Sequence, residues 1–119
     1  MNLEKRHIDT LITIGINLES NLELAKQNLN KLINDDYINR LHWKDWDKEC
    51  DNLKDEELIN LLKGAVFIER ELNWLGGSVA AGVWIYRNIR KRNLDKDNKI
   101  ADWIIKNTKN DYLPFGSLR

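Results

Sequence analysis

The sequence predicts an all-α protein, a single helical bundle of about five helices with a non-helical C-terminal tail, occupying residues 1–119 as one domain. Three observations carry this. Apolar residues recur at spacings of three and four over most of the chain, which is the repeat of an amphipathic helix and not of a strand. A single proline interrupts the pattern. The stretch from Trp74 to Arg87 is nearly free of polar side chains, as in a helix buried on every side around which others pack. A chain of 119 residues is long enough to bury a core without disulfides or metal, and 42% hydrophobic with 32% charged residues is a globular composition.

Residues 3–33 carry the first element. Ile8, Leu11, Gly15, Leu18, Leu22, Ala25, Leu29 and Leu32 form the seam of one long amphipathic helix packed nearly parallel to its neighbours. The β-branched Ile12, Thr13, Ile14 and Ile16 around Gly15 resemble a strand, but a lone strand has nothing to pair with. The expectation is therefore helix, with a kink allowed at Gly15, where the glycine also admits a close neighbour; the pattern leaves open whether residues 3–33 are one helix or two. Asn34, Asp35 and Asp36 break the pattern. A second helix is expected over 36–51, with Leu41, Trp43, Trp46, Cys50 and Leu53 on its apolar stripe. A third is expected over 55–74, capped by Asp55, with Glu56 and Glu57 in the first turn where the helix dipole favours acids. Leu58, Leu61, Ala65, Ile68, Leu72 and Leu75 are its buried row. Glu69 falls on the edge of that row, where an acid needs a partner.

Gly76 and Gly77 are expected to end this helix and Ser78 to cap the next, the central helix over 79–92. Ala80, Ala81 and Gly82 let another backbone approach, and Arg87, Arg90, Lys91 and Arg92 suit the C-terminal half. A last helix is expected from residue 96 or 97 to about 108, packed through Ile100, Ala101, Trp103 and Ile104. The tail 110–116 contains Pro114 and is not helical. Its Tyr112, Leu113 and Phe115 predict that it lies in a groove on the bundle.

Composition excludes several function classes. Lys plus Arg equals Asp plus Glu at 19 each, so no nucleic-acid partner is expected from general phosphate neutralisation. Zero formal charge also removes self-repulsion, which favours a homo-oligomer or a protein partner. The single Cys50 permits no internal disulfide and no thiolate metal cluster, and its simplest role is a half-buried thiol. His42 with Asp45 has a spacing compatible with a metal, but no second ligand motif supports it, so no metal and no cofactor are expected. His7 is assigned no role. No apolar signal core or membrane-length run is present, and the expectation is a cytoplasmic protein with no membrane partner.

No catalytic motif is present, and no catalytic residue is assigned. Gly76-Gly77-Ser78 before a helix has two readings. It is a tight inter-helix turn with a capping serine, or it is a helix start whose free N–H groups hold a small anionic ligand such as a nucleotide. In the second reading Arg70 and Arg87 supply charge and Trp74 and Trp84 a stacking surface; Arg90 is a further candidate. If the flanking helices form an antiparallel hairpin, Glu69 or Glu71 meets Arg87, either as a structural ion pair or as an acid holding a ligand-binding arginine. Five tryptophans anchor the core, with one or two left for a pocket or subunit interface.

Trp74-Leu75-Gly76-Gly77-Ser78-Val79-Ala80 and Asn110-Asp111-Tyr112-Leu113-Pro114-Phe115-Gly116-Ser117 resemble blocks in small uncharacterised bacterial proteins. The resemblance covers the C-terminal half and implies a bacterial or phage setting, with no function attached. The first expectation is a non-enzymatic helical interaction protein that self-associates. The alternative is a binding or sequestering protein for a small anionic ligand at the Gly76-Gly77-Ser78 helix start.

Overall fold

The structure, a computed structural model, describes residues 1–118; Arg119, the last residue of the expected domain, lies outside them. Six α-helices and four short 3-10 turns account for the secondary structure, with no strand among the described residues.

The expected 3–33 helix is two helices, α1 (Lys5–Asn17) and α2 (Leu22–Leu29). The chain breaks after Asn17, and the helix is uninterrupted at Gly15. The cause lies in the polar Glu19-Ser20-Asn21: Asn21 Oδ1 accepts the Leu24 N–H at 3.2 Å, so this asparagine starts a helix instead of continuing one. Gly15 serves contact. A Cβ there would land on the Asn60 carbonyl, and a Cβ at Gly64 would land on the Leu11 carbonyl.

The expected 36–51 helix is also divided. Asp36–Arg40 is a 3-10 turn, Leu41 is extended, and α3 (Trp43–Cys50) starts after His42. His42 Nδ1 accepts the Lys44 N–H at 3.2 Å, which makes this histidine a helix cap. Trp46 Nε1 donates to the Ile38 carbonyl at 3.2 Å, and both residues are buried, so the chain must fold back between them.

Helix α4 (Asp55–Glu71) follows Lys54, whose N–H donates to Glu57 Oε1 at 2.8 Å; Lys54, and not Asp55, holds the cap position. The helix stops at Glu71, before the glycine pair. Asn73 takes a left-handed conformation (φ 53°), and the Trp74 N–H donates to the Glu69 carbonyl at 3.0 Å. Asparagine tolerates this conformation better than other residues with a Cβ, so the chain needs no glycine there.

Gly77–Val79 form a 3-10 turn, and α5 (Ala81–Lys91) begins after Ala80, not after Ser78. The Ala81 N–H is capped from another segment, by Asn39 Oδ1 at 3.1 Å. Helix α6 (Lys99–Asn107) is capped by the buried Asp95 carboxylate, which accepts from the Ile100 and Ala101 N–H groups at 2.8 and 2.9 Å and from the Tyr86 hydroxyl at 2.7 Å.

The organising helix is α4. Leu58, Leu61, Leu62 and every residue from Gly64 to Glu69 are buried, and α4 packs against α1, α5 and α6. Helix α5 was expected in this place; it buries one broad face through Ile85, Tyr86 and Ile89 and leaves Trp84 and Arg87 half-exposed. A single core cluster runs through all six helices, and the radius of gyration of 12.7 Å is close to the roughly 13.5 Å expected of one compact unit of this length. The tail lies on the bundle. Leu113 and Pro114 are buried, Leu113 against the bare face of Gly82, and the Phe115 ring meets the Tyr86 ring edge-on at 5.7 Å.

Candidate functional site

Four of the sequence-predicted site residues meet. Arg70, Trp74, Gly76 and Gly77 line a cleft of about 290 Å³ between the end of α4, the 72–77 connection and the start of the tail. Glu69, Asn73, Lys109 and Asn110 complete its polar lining. Their proximity follows from local chain geometry: α4 delivers Glu69 and Arg70 at its last turn, and the left-handed Asn73 swings Trp74 back over them.

Ser78, Trp84 and Arg87 do not line this cleft. Trp84 and Arg87 line a separate groove of about 230 Å³ with Val83, Tyr86, Arg90, Pro114 and Phe115. The expected pairing of Glu69 or Glu71 with Arg87 does not form. Arg87 donates to Asp47 Oδ1 and Oδ2 at 3.1 and 2.9 Å, and its guanidinium lies between the Trp43 and Trp84 rings at 5.1 and 5.0 Å. Glu71 pairs with Arg70 instead. Residues 72–80 form a long connection in place of a tight hairpin turn, so positions equally distant from it do not face each other.

Glu69 finds its partners elsewhere. Oε2 accepts from Asn39 Nδ2 at 2.9 Å and from Asn110 Nδ2 at 3.1 Å. Each asparagine uses its second amide hydrogen on a backbone carbonyl, Leu75 for Asn39 and Gly77 for Asn110. One carboxylate oxygen thus joins the 3-10 turn before α3, the end of α4, the glycine connection and the tail. Oε1 of Glu69 accepts no hydrogen bond from any described residue. Glu69 is only 6% exposed, and burial pushes its carboxyl above the usual range, with the two amide bonds pulling the other way.

The two cations of the cleft differ. The Arg70 guanidinium is engaged: Nε donates to Glu71 Oε2 at 3.3 Å, Nη1 to the Asn107 carbonyl at 3.1 Å, and its face covers the Phe67 ring. Lys109 is exposed and has no hydrogen-bond or ion-pair partner among the described residues. The helix-start anion cradle is altered by the same network, because Asn39 already occupies the Ala81 N–H.

Sequence reasoning missed Asn39, Lys109 and Asn110 as site residues. Asn39 and Asn110 lie 30 and 41 positions from Glu69, and no local pattern marks either. It also missed His7, which is fully buried, accepts the Glu4 N–H on Nδ1 at 2.9 Å, and directs Nε2 toward Asp35 at 3.6 Å. Burial, with the neighbouring Arg6 charge, lowers its pKa. Cys50 is completely buried, and burial pushes its thiol up to about 12, which makes it an inert packing residue. Among the described residues no group of His, Cys, Asp and Glu is arranged to hold a metal, and no helix is long and apolar enough to cross a membrane. Compared with protein-family models, curated proteins and solved structures, the chain matches none.

Proposed function

We propose that the protein is a non-enzymatic helical interaction protein, of bacterial or phage setting, that self-associates through the face built by α5, α6 and the tail. The observation that carries this reading is the Pro114-Phe115 ridge. It is a shared wall of two grooves, one of about 230 Å³ on the α5 side and one of about 330 Å³ on the α6 side. Phe115, Ile105 and Val79 are 37%, 57% and 47% exposed, large apolar groups that a solitary monomer leaves in water. The edges differ in charge: Arg87 and Arg90 line the α5-side groove and Asp111 the α6-side groove. In the proposed dimer each Phe115 enters the other copy's groove, and the arginine edge of one copy meets the acidic edge of the other. That is the self-complementarity of an isologous dimer.

Sedimentation of wild type and Phe115→Asp tests this. The expected result is a concentration-dependent dimer for wild type and a monomer of unchanged helicity for the variant. A wild type that stays monomeric at high concentration overturns the reading. The alternative, a small anionic ligand at the Gly76-Gly77-Ser78 helix start, has less support. Ser78 does not line the cleft, the helix-start donor is occupied, and the cleft contains a carboxylate.

A further inference from the structure

We propose that the His7 imidazole is an acid-sensitive latch on the start of α1: neutral, it holds the first turn closed through Nδ1, and a second proton releases residues 2–6 while the bundle stays folded.

The sequence places a histidine where a helix start ordinarily has an acid or an amide. His7 is the third residue of α1, and its Nδ1 accepts the Glu4 N–H at 2.9 Å. The usual residue for reaching back to that N–H is Glu or Gln. Helix α4 uses the ordinary one: Glu57, also the third residue, accepts the Lys54 N–H at 2.8 Å. A carboxylate keeps its acceptor lone pairs down to about pH 4, whereas an unperturbed imidazole has a free ring nitrogen only above about pH 6.5. The two helix starts therefore differ in the pH range over which they stay tied.

The tautomer follows from the bond. Nδ1 accepts, so the single proton of the neutral ring is on Nε2. The second proton has only Nδ1 to go to, where it sets two donors, the ring N–H and the Glu4 N–H, against each other. The His7 ring is fully buried, so an imidazolium is not hydrated in place and reaches water by leaving together with the turn it holds. His42 caps α3 through the same atom, accepting the Lys44 N–H at 3.2 Å, but it is exposed, and water replaces it there without any movement of the chain.

The charged and titratable groups around His7 come from two segments. Glu4 and Arg6 flank it at the start of α1, and Asp35 and Tyr37 lie on the connection packed against it. The two acids attract an imidazolium and Arg6 repels it. Asp35 Oδ2 is 3.6 Å from Nε2, beyond hydrogen-bond distance, and already accepts Arg6 Nη1 at 2.8 Å. Nε2 has no hydrogen-bond partner among the described residues. Burial, followed by the Arg6 charge, outweighs the acids and lowers the pKa of His7. The unfolded chain thus binds this proton more readily than the folded turn, so the His7 contribution is present above about pH 6.5 and is lost as the pH falls below it.

The latched segment is short. Before Glu4 the chain is tied by the Tyr37 hydroxyl, which donates to the Asn2 carbonyl at 2.8 Å, and by Leu3, half-buried against the core. Tyr37 also meets the His7 ring edge-on at 5.9 Å, so both ties share one neighbour. From Ile8 onward α1 is anchored in the core by Ile8, Leu11 and Ile14, which confines the opening to the first turn.

The test is a nuclear magnetic resonance titration of the full chain from about pH 7.5 to about pH 5, following the His7 ring nitrogens and the backbone amides. We expect the proton on Nε2 at the upper end. The Glu4 amide should then shift with the same midpoint as His7 Nδ1, and residues 2–6 should gain fast motion. The Lys54 amide should not follow, and Ile8 to Leu11 should stay ordered. His7→Gln supplies an acceptor that does not titrate at the same helix position, and should hold the first turn across the range. A proton on Nδ1 at the upper end overturns the proposal. So does a Glu4 amide or a 2–6 segment that does not respond, or the same acid response in His7→Gln. If that variant does not fold, the wild-type midpoints decide. Residues 2–7 line neither groove beside Phe115, so the dimer reading stands or falls separately.

Discussion

Gly15 on α1 and Gly64 on α4 form a reciprocal contact: each leaves room for a backbone carbonyl of the opposite helix, Asn60 facing Gly15 and Leu11 facing Gly64. Because the obstacle is backbone, no side chain can rotate away to accommodate a methyl group. Gly64→Ala should therefore destabilise the protein by at least about 1–3 kcal/mol, the usual cost of overpacking, despite the better helix propensity of alanine. Thermal denaturation checks this. An unchanged or raised melting temperature would mean that the two helices do not touch here.

Gly82 is a different case. An added Cβ would lie 2.6 Å from Leu113 Cδ2, the far end of a flexible side chain on the tail. Gly82→Ala should be tolerated by a shift of Leu113. Gly82→Leu should lift the tail from α5, at about 1–3 kcal/mol, and expose Tyr112 and Phe115 to chymotrypsin. Limited proteolysis reads the outcome: a Gly82→Leu protein as resistant as wild type would show that the tail does not pack over this position.

Asn39→Ala removes the donor to Glu69 and the acceptor of the Ala81 N–H together. Each buried group left without a partner costs about 1–3 kcal/mol, so the loss should be large for one residue in a short 3-10 turn. Asn39→Asp restores the acceptor for Ala81 but sets a second carboxylate beside Glu69. It should be poorly stable at neutral pH and recover on acidification, which chemical denaturation at both pH values measures.

Glu69 itself should show an inverted acid response. Its folded-state pKa is raised by burial, so the native protein binds the proton more tightly than the unfolded chain does. The Glu69 contribution is then most favourable below the unfolded value of about 4.3 and is lost as pH rises through the folded one. Glu69→Gln removes this titration. The variant should be at least as stable as wild type near pH 7, with its advantage shrinking as the pH falls toward about 4. Asp35 and Asp47, whose pKa values are lowered, drop out of the comparison because both proteins contain them. A difference between the two proteins that does not vary with pH would refute the assignment.

The all-α class was legible because the three-and-four spacing of Leu58, Leu61, Ala65 and Ile68 is a property of one helix, and all four are buried. The breaks were not. The repeat in residues 3–33 continues across Leu18–Asn21, and only the competition between a capping asparagine and the helix decides that the chain turns there. The break at Leu41 depends on Trp46 reaching the Ile38 carbonyl, a contact without a local signature. The same division holds at the site. Arg70, Trp74, Gly76 and Gly77 share one cleft because they are neighbours in the chain. Asp47 as the partner of Arg87, and Asn39 and Asn110 as the partners of Glu69, come from segments 30 to 41 positions away. Of the tryptophans, Trp46 and Trp74 are buried, Trp84 and Trp103 are half-buried and Trp43 is exposed, a distribution that no count of aromatic residues conveys.

The two asparagines on Glu69 have a consequence for how the molecule opens. The cap of α5, the anchor of the glycine connection and the first hold on the tail all run through one carboxylate oxygen and the amides bound to it. Local fluctuations that release one of these segments loosen the others, so they should exchange their amide hydrogens as a single cooperative unit and not as three independently fraying ends.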